Sequence, residues 1–228
     1  MQTRREVRFD LSVQEAKEQQ RRWADEVELE DRLGDVRFVA GTDVAYEKDG
    51  DRLFAAVVVL DAETLEVVAE STHVGRAGFA YVPGLFSYRE LPPLLRCFES
   101  LPLEPDLVVV DGQGTAHPRR FGLACHLGLV LDVPAIGCAK TPLIVGEPPG
   151  GSRGDTALVG RDGRVLGVAL RTRDEIKPVY VSPGHRVSLD TAVEWVLRLT
   201  PRYRQPETTR AADQRVNRLR REWRPGAE

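Results

Sequence analysis

Apolar and polar positions alternate along this chain in blocks that read as successive helices and strands. Ser12 with Glu15 resembles a capping box, and Val13, Ala16, Trp23, Ala24 and Val27 recur near helical spacing, so residues 12–29 predict an amphipathic helix. VRFVAGTD (36–43) predicts a first strand ending on Gly41, Thr42 and Asp43. Past a turn at 47–51, LFAAVVVL (53–60) and LEVVAESTHV (65–74) predict two more strands joined at 61–64, which together make an antiparallel meander. In YVPGLFSYRE (81–90), Pro83 and Gly84 set a turn and Arg89 with Glu90 opens a helix running through Cys97, Phe98 and Leu101. Pro92 and Pro93 then fall in its first turn, where a missing amide donor matters little.

The second half has a different rhythm. Val108, Val109 and Val110 predict the end of a buried strand, residues 119–131 a helix with an apolar face, and VPAIGCAK (133–140) a second buried strand. Strand, helix, strand is a βαβ unit, so part of the sheet is expected to be parallel. A turn-rich loop (146–155) leads to strands at 156–160 and 164–170 around an Asp162-Gly163 turn. YVSPGHRVSLDTAVEWVL (180–197) reads as strand, glycine turn, Ser188 cap and amphipathic helix, with His185 as a turn residue. Pro206 opens an arginine-rich helix at about 206–222. Without repeats, long linkers or low-complexity tracts, one domain over 1–228 is the expectation: α/β, with a mixed sheet flanked by helices.

Composition narrows the classes. A chain of 228 residues, 42% hydrophobic and 29% charged, builds an ordinary soluble core, and no apolar run marks a secretory signal or spanning helix, so a cytoplasmic protein is expected. Cys97, Cys125 and Cys138 form no CxxC pair and one is left over, which argues against disulfides and a thiolate zinc site. A net charge of −3 is unpromising for nucleic acid as an average, but between Arg202 and Arg224 eight arginines face Glu207, Asp213 and Glu222, a local excess of five.

Candidate chemistry collects in VVVDGQGTAHPRRFG (108–122). Asp111 leaves a buried strand, Gly112 and Gly114 allow close backbone approach, and His117, Arg119 and Arg120 add nitrogen donors. Alone, this loop is equally well a strand-to-helix turn with an aspartate cap. Asp43, however, ends a second apolar strand and Lys140 a third, and ligands collect at such ends in open α/β sheets. Paired carboxylates serve either as general acid and base or as ligands of a hard cation. The glycine-rich backbone, the arginines and Lys140 favour magnesium holding a phosphate, with Lys140 stabilising the transition state or leaving oxygen. Phosphodiester hydrolysis is the reaction class expected. Tyr81, an aromatic beside a Pro-Gly turn, suits stacking on or wedging between bases.

VAGTDVAY (39–46), YVPGLFSYRE (81–90), VVVDGQGTAHPRRFG (108–122), GCAKTPLIVG (137–146), YVSPGHR (180–186) and PETTRAAD (206–213) resemble, in order and spacing, the endonuclease V family, from about residue 9 to about residue 220. The resemblance implies an RNase H-like fold and a Mg²⁺-dependent endonuclease, with Mn²⁺ as a substitute, acting in nucleic-acid repair. Such enzymes nick DNA containing deoxyinosine one nucleotide 3′ of the lesion, and some members act on inosine in RNA. It further implies that Asp43, Glu90 and Asp111 are metal ligands, that Lys140 and His117 assist near the scissile phosphate, and that Asp213 has a metal-related role. Tyr81, with Pro83, belongs to the wedge. Backbone at Gly84, Leu85, Gly112, Gly122 and Gly137 would read a hypoxanthine taken out of the stack. Gln113 receives no role. A monomer with no membrane partner is expected. The competing readings are another RNase H-like nuclease, for hybrids or junctions, and a non-catalytic nucleic-acid binder using the basic helix.

Overall fold

The computed structural model describes residues 1–48 and 50–224. Asp49 of the expected turn at 47–51 and residues 225–228 of the expected 1–228 span lie outside the described residues. Eight strands form one sheet in the order β3-β2-β1-β4-β5-β8-β7-β6. β1 (Phe38–Tyr46), β2 (Arg52–Asp61) and β3 (Val67–Arg76) are the expected antiparallel meander. β4 (Leu107–Val110) pairs parallel with both β1 and β5 (Ala135–Ala139), as the βαβ pattern requires. β6 (Thr156–Arg161), β7 (Arg164–Leu170) and β8 (Val179–His185) complete the sheet in antiparallel pairing. The helices are α1 (Val13–Ala24), α2 (Ser87–Glu99), α3 (Leu123–Leu131), α4 (Leu189–Arg198) and α5 (Glu207–Glu222).

β2 is apolar from Leu53 to Leu60 because both faces of the sheet are covered there. Ala55, Val57 and Val59 pack in a core with Leu91, Leu94 and Phe98 of α2, while Phe54 and Ala56 meet Val216, and Val58 and Leu60 meet Ala212, of α5. Alternation of side chains across a strand makes this division automatic. Burial of each such valine or leucine contributes about 1.5–3 kcal/mol, so β2 anchors two helical layers. In β4 the same alternation sends Val108 and Val110 toward the first layer, and Leu107 and Val109 toward the cluster containing Val196 of α4.

Several boundaries differ from expectation, each for a local reason. The Ser12–Glu15 capping box forms, but α1 stops at Ala24, with residues 25–29 outside it. β1 runs three residues beyond Asp43 because β2 continues to pair with it after β4 has ended, so Asp43 lies within a strand. α2 opens at Ser87 rather than Arg89 because Phe86 already has helical backbone angles (φ −56°, ψ −34°), and it ends before Leu101. Pro92 and Pro93 therefore fall inside the helix, not in its first turn; burial of Pro93, Leu94 and Leu95 offsets the absent amide bonds. α3 starts at Leu123, since Arg120 is left-handed (φ 54°) and Gly122 extended. Pro183, Gly184 and His185 belong to β8, where sheet pairing with Ala135 and Ile136 overrides the turn signal. His185 is buried there, and its Nδ1 accepts from the Glu28 backbone, so it has no part in the site below. The three cysteines are free and buried. Among the described residues no helix is long and apolar enough to cross a membrane.

Candidate active site

The parallel register of β1 on β4 assembles the site. Thr42 pairs with Val110, so the next residues, Asp43 and Asp111, stand side by side just where β4 ends. Counting alternate residues from Gly41, whose face meets α5, puts Asp43 toward that layer, which carries Asp213. Lys140 follows the end of β5, the next parallel strand, and its Nζ lies 2.5 Å from Asp111 Oδ2. Glu90 comes from the opposite layer, in the first turn of α2, and the Tyr46 hydroxyl donates to its Oε1 at 2.6 Å.

Electrostatics mark these groups as one cluster. Burial, then the adjoining charge of Asp111, raises Asp43; burial also raises Asp111, against the pull of Lys140. Glu90 is pushed up to about 7, chiefly by burial, with Asp43 and Asp111 adding to the effect while the Tyr46 hydrogen bond opposes it. Burial works against the Lys140 ammonium, yet Asp111, Asp43 and Asp213 raise it on balance. Several carboxyl groups thus share one partly buried ammonium, a site short of positive charge.

The donor set suits a hard divalent cation, although the expected three-carboxylate grip is not preassembled. Among the described residues no trio of His, Cys, Asp or Glu side chains is arranged to hold a metal. The Asp111 charge acts on Asp43, Lys140 is seated on Asp111, and Glu90 is held by Tyr46. Magnesium commonly takes only one or two carboxylates and keeps several waters, so the two adjoining aspartates, with Glu90 within range of their charge, fit it chemically.

A cavity of about 260 Å³ opens beside the cluster, walled by Glu90, Asp111, Lys140, Gly84, Gly112 and Gly122 among others. The glycines that shape it do so by permitting close packing. A Cβ on Gly137 would lie 2.3 Å from the Gly114 nitrogen, and one on Gly122 would lie 2.2 Å from the Gln113 carbonyl oxygen. Gly137 itself is buried and paired on both sides in the sheet, so its backbone is not offered to a base as expected. Leu85 is likewise withdrawn, fully buried with Ala16, Phe79 and Tyr88. Tyr81 is 67% exposed, its ring 5.0 Å from that of Phe86, and Pro83 beside it is exposed.

His117 lines the same cavity as Glu90, Asp111 and Lys140, and its ring is held on both sides. Its Nε2 donates to the Gly84 carbonyl at 3.0 Å while Nδ1 accepts from the Arg119 backbone at 3.2 Å, so both ring nitrogens are engaged. Burial, reinforced by Arg119, lowers it to about 4. A neutral, fully hydrogen-bonded imidazole anchors the 81–84 turn and carries no charge near neutral pH. Arg119 Nη2 and Gln20 Nε2 donate to the same Gly84 oxygen at 2.6 and 3.1 Å.

Tyr46, Gln20 and Gln113 received no role in the sequence, and Arg119 only that of a nitrogen donor. Tyr46 has a signal, its place in the VAGTDVAY motif, and Arg119 sits in the 108–122 loop. Gln20, on an amphipathic helix 64 to 101 residues from its partners, has none. Gln113 lines the cavity, donates to the Thr141 carbonyl at 2.9 Å, and has no partner for its buried Oε1 among the described residues.

A family model described as Endonuclease V matches residues 21–214. The Endonuclease V of Myxococcus xanthus is 52% identical over 217 residues, covering 94% of this chain and 92% of its own. The crystal structure of the Endonuclease V from Streptomyces avermitilis superposes with a TM-score of 0.88 at 48% identity, covering 92% of this chain and 94% of that one. Endonuclease V of Ciona intestinalis, solved in complex with a 24mer DNA containing an inosine followed by a ribo-adenosine, superposes with a TM-score of 0.82 at 25% identity, covering 92% of this chain and 98% of that one.

Proposed function

The chain belongs to the endonuclease V family, and from that premise we propose that it is a metal-dependent endonuclease of RNase H-like fold acting in nucleic-acid repair. It recognises hypoxanthine in DNA, or inosine in RNA, and hydrolyses a phosphodiester bond one nucleotide 3′ of the lesion. The observation that carries this reading is the cluster of Asp43, Asp111 and Lys140 at the end of β4, opening onto a glycine-walled cavity.

Asp43 and Asp111 would hold Mg²⁺, or Mn²⁺ in its place, and Glu90 and Asp213 would add negative charge around it. Bound there, the cation supplies Lewis-acid charge at the scissile phosphate. Lys140, already 2.5 Å from Asp111, turns its ammonium to the phosphate or the leaving oxygen as negative charge develops. Tyr46 holds the Glu90 carboxyl in place through its hydroxyl. The everted base enters the cavity, where backbone at Gly84, Gly112 and Gly122 meets its carbonyl and ring N–H. Tyr81 and Pro83, exposed on a turn anchored through the Gly84 carbonyl, fill the gap left in the stack.

All of these groups come from one copy of the chain, on one continuous sheet and the helices and loops packed on it, which supports a single domain working as a monomer. Three free thiols fit a reducing compartment, the cytoplasm. The test is a cut-site map on matched DNA and RNA oligonucleotides, each with one inosine, incubated with Mg²⁺ or Mn²⁺. A nick one nucleotide 3′ of inosine, lost in Asp111→Asn with binding retained, is the expected result. Cleavage indifferent to inosine, or normal turnover by that variant, overturns the reading.

A further inference from the structure

Five arginines converge on a second hollow on the other side of the catalytic loop. Arg21 comes from α1, Arg119 and Arg120 from the 111–122 loop, and Arg161 and Arg164 from either side of the β6–β7 turn; together with Asp162 they line a cleft of about 450 Å³. We propose that this cleft is a separate binding site for the backbone phosphates of the nucleic acid, engaging a stretch of strand away from the scissile bond. The inference rests on the nuclease reading for its choice of ligand and not for the existence of the site.

The charge balance calls for an anion. Arg120 is paired with Asp25 at 2.6 Å, whereas the approach of Arg161 to Asp162 is long, 3.8 Å, and exposed on both sides. For Arg21 and Arg164 no ion pair or side-chain hydrogen bond joins them to any of the described residues. Arg119 is occupied by the Gly84 carbonyl and Gln20, and its guanidinium is lowered by burial and then by the neighbouring charge of Arg21. Three stretches of chain, remote in sequence, therefore bring like charges together with one acid among them. Guanidinium groups match phosphate oxygens in shape and hold them bidentately, which would relieve that repulsion.

Continuity with the catalytic side points to a strand rather than a small anion. Arg119 donates to the carbonyl of Gly84, and Gly84 walls the cavity that Glu90 and Asp111 also line. The cleft thus begins one side chain away from that cavity. A strand leaving the cavity over Arg119 reaches Arg21, Arg161 and Arg164 within the same hollow, and the 81–84 wedge stands at the junction.

The test is the salt dependence of binding by the full-length protein carrying Arg161→Ala with Arg164→Ala, both exposed at a turn, with thermal melting to confirm folding. Each phosphate that the protein no longer neutralises lowers the slope of log K against log salt by about 0.9 on duplex DNA, so the slope of the double variant should be shallower by between about 1 and 2 units. The change should be equal on inosine-containing and inosine-free duplexes. The single-turnover nicking rate at saturating protein should remain at the wild-type level. Shortening the duplex arm on one side of the inosine should reproduce the defect in the wild type and add nothing in the variant. Arg96→Ala, which removes an exposed arginine paired with Glu99 on α2, should keep the wild-type slope. An unchanged slope in the double variant overturns the proposal, as does a defect confined to the saturated rate. If the wild type fails to prefer inosine, the catalytic reading falls, while the slope on inosine-free duplex still decides the cleft.

Discussion

Gly41→Ala should detach the active site from within. The position lies in β1 beneath α5, and a Cβ built there would stand 2.1 Å from both the carbonyl carbon and the oxygen of Thr208. That is more than about 1 Å short of ordinary carbon–carbon contact. Backbone meets backbone, so no rotamer change relieves the clash, and the helix must lift. Thr208, Thr209, Ala212 and Val216 are its buried face, and Asp213 rides on the same rigid element. Overpacking of this kind weakens folding by about 1–3 kcal/mol, which in a chain of this length lowers the melting temperature by about 2–4 °C per kcal/mol. The displaced Asp213 should also withdraw its charge from Asp43, Asp111 and Lys140, all three of which register it now. Thermal unfolding with and without Mg²⁺ reads both effects: a lower melting temperature, and a smaller rise on adding the metal. Gly34→Ala, with nothing within 4 Å of its Cβ, is the control and should behave as wild type. A Gly41→Ala protein that melts, responds to Mg²⁺ and nicks like the wild type would refute the idea that α5 is held against β1 by this close approach.

Further outcomes follow from the same geometry. The native protein keeps protons on Glu90 up to about 7, and on raised Asp43 and Asp111, where the unfolded chain has lost them. Stability of the metal-free protein should therefore fall as pH rises from the ordinary carboxylate range toward about 7. Stabilisation by Mg²⁺, which needs those groups ionised, should grow between about pH 5.5 and about pH 8, and a response independent of pH in a thermal-shift titration would contradict this. Tyr46→Phe removes a bond that lowers Glu90, so the onset of the Mg²⁺ response should move to higher pH in the same titration. Gln20→Leu takes a donor from the Gly84 and Phe121 carbonyls and should lose about 1–3 kcal/mol of stability in denaturant melts. Its affinity for inosine-containing DNA should fall more than its saturated nicking rate. Tyr81→Ala should impair binding of inosine-containing DNA more than metal affinity; calorimetry showing unchanged DNA affinity would count against the wedge.

The sequence alone determined the element types and the chemistry available. Period-two and unbroken apolar runs announced the meander and the buried strands, the Ser12–Glu15 spacing announced a helix start, and the motif order announced the family. It also marked Asp43, Asp111 and Lys140 as residues of interest, since carboxylates and a rare lysine at the ends of apolar strands stand out against their neighbours, while Glu90 was marked by the family resemblance alone. Only the tertiary structure decided how they meet. The register of Thr42 on Val110 sets two aspartates side by side, and a single-residue slip would separate them without altering the hydrophobic pattern of either strand enough to be noticed. Burial likewise showed His117 to be an anchor of the 81–84 turn as well as a cavity residue, and withdrew the backbone of Gly137 and Leu85 from an everted base. Gln20 and the arginine cleft were invisible for the same reason: local patterns report which face of an element is buried, while the partners it finds there depend on packing across a hundred residues of chain.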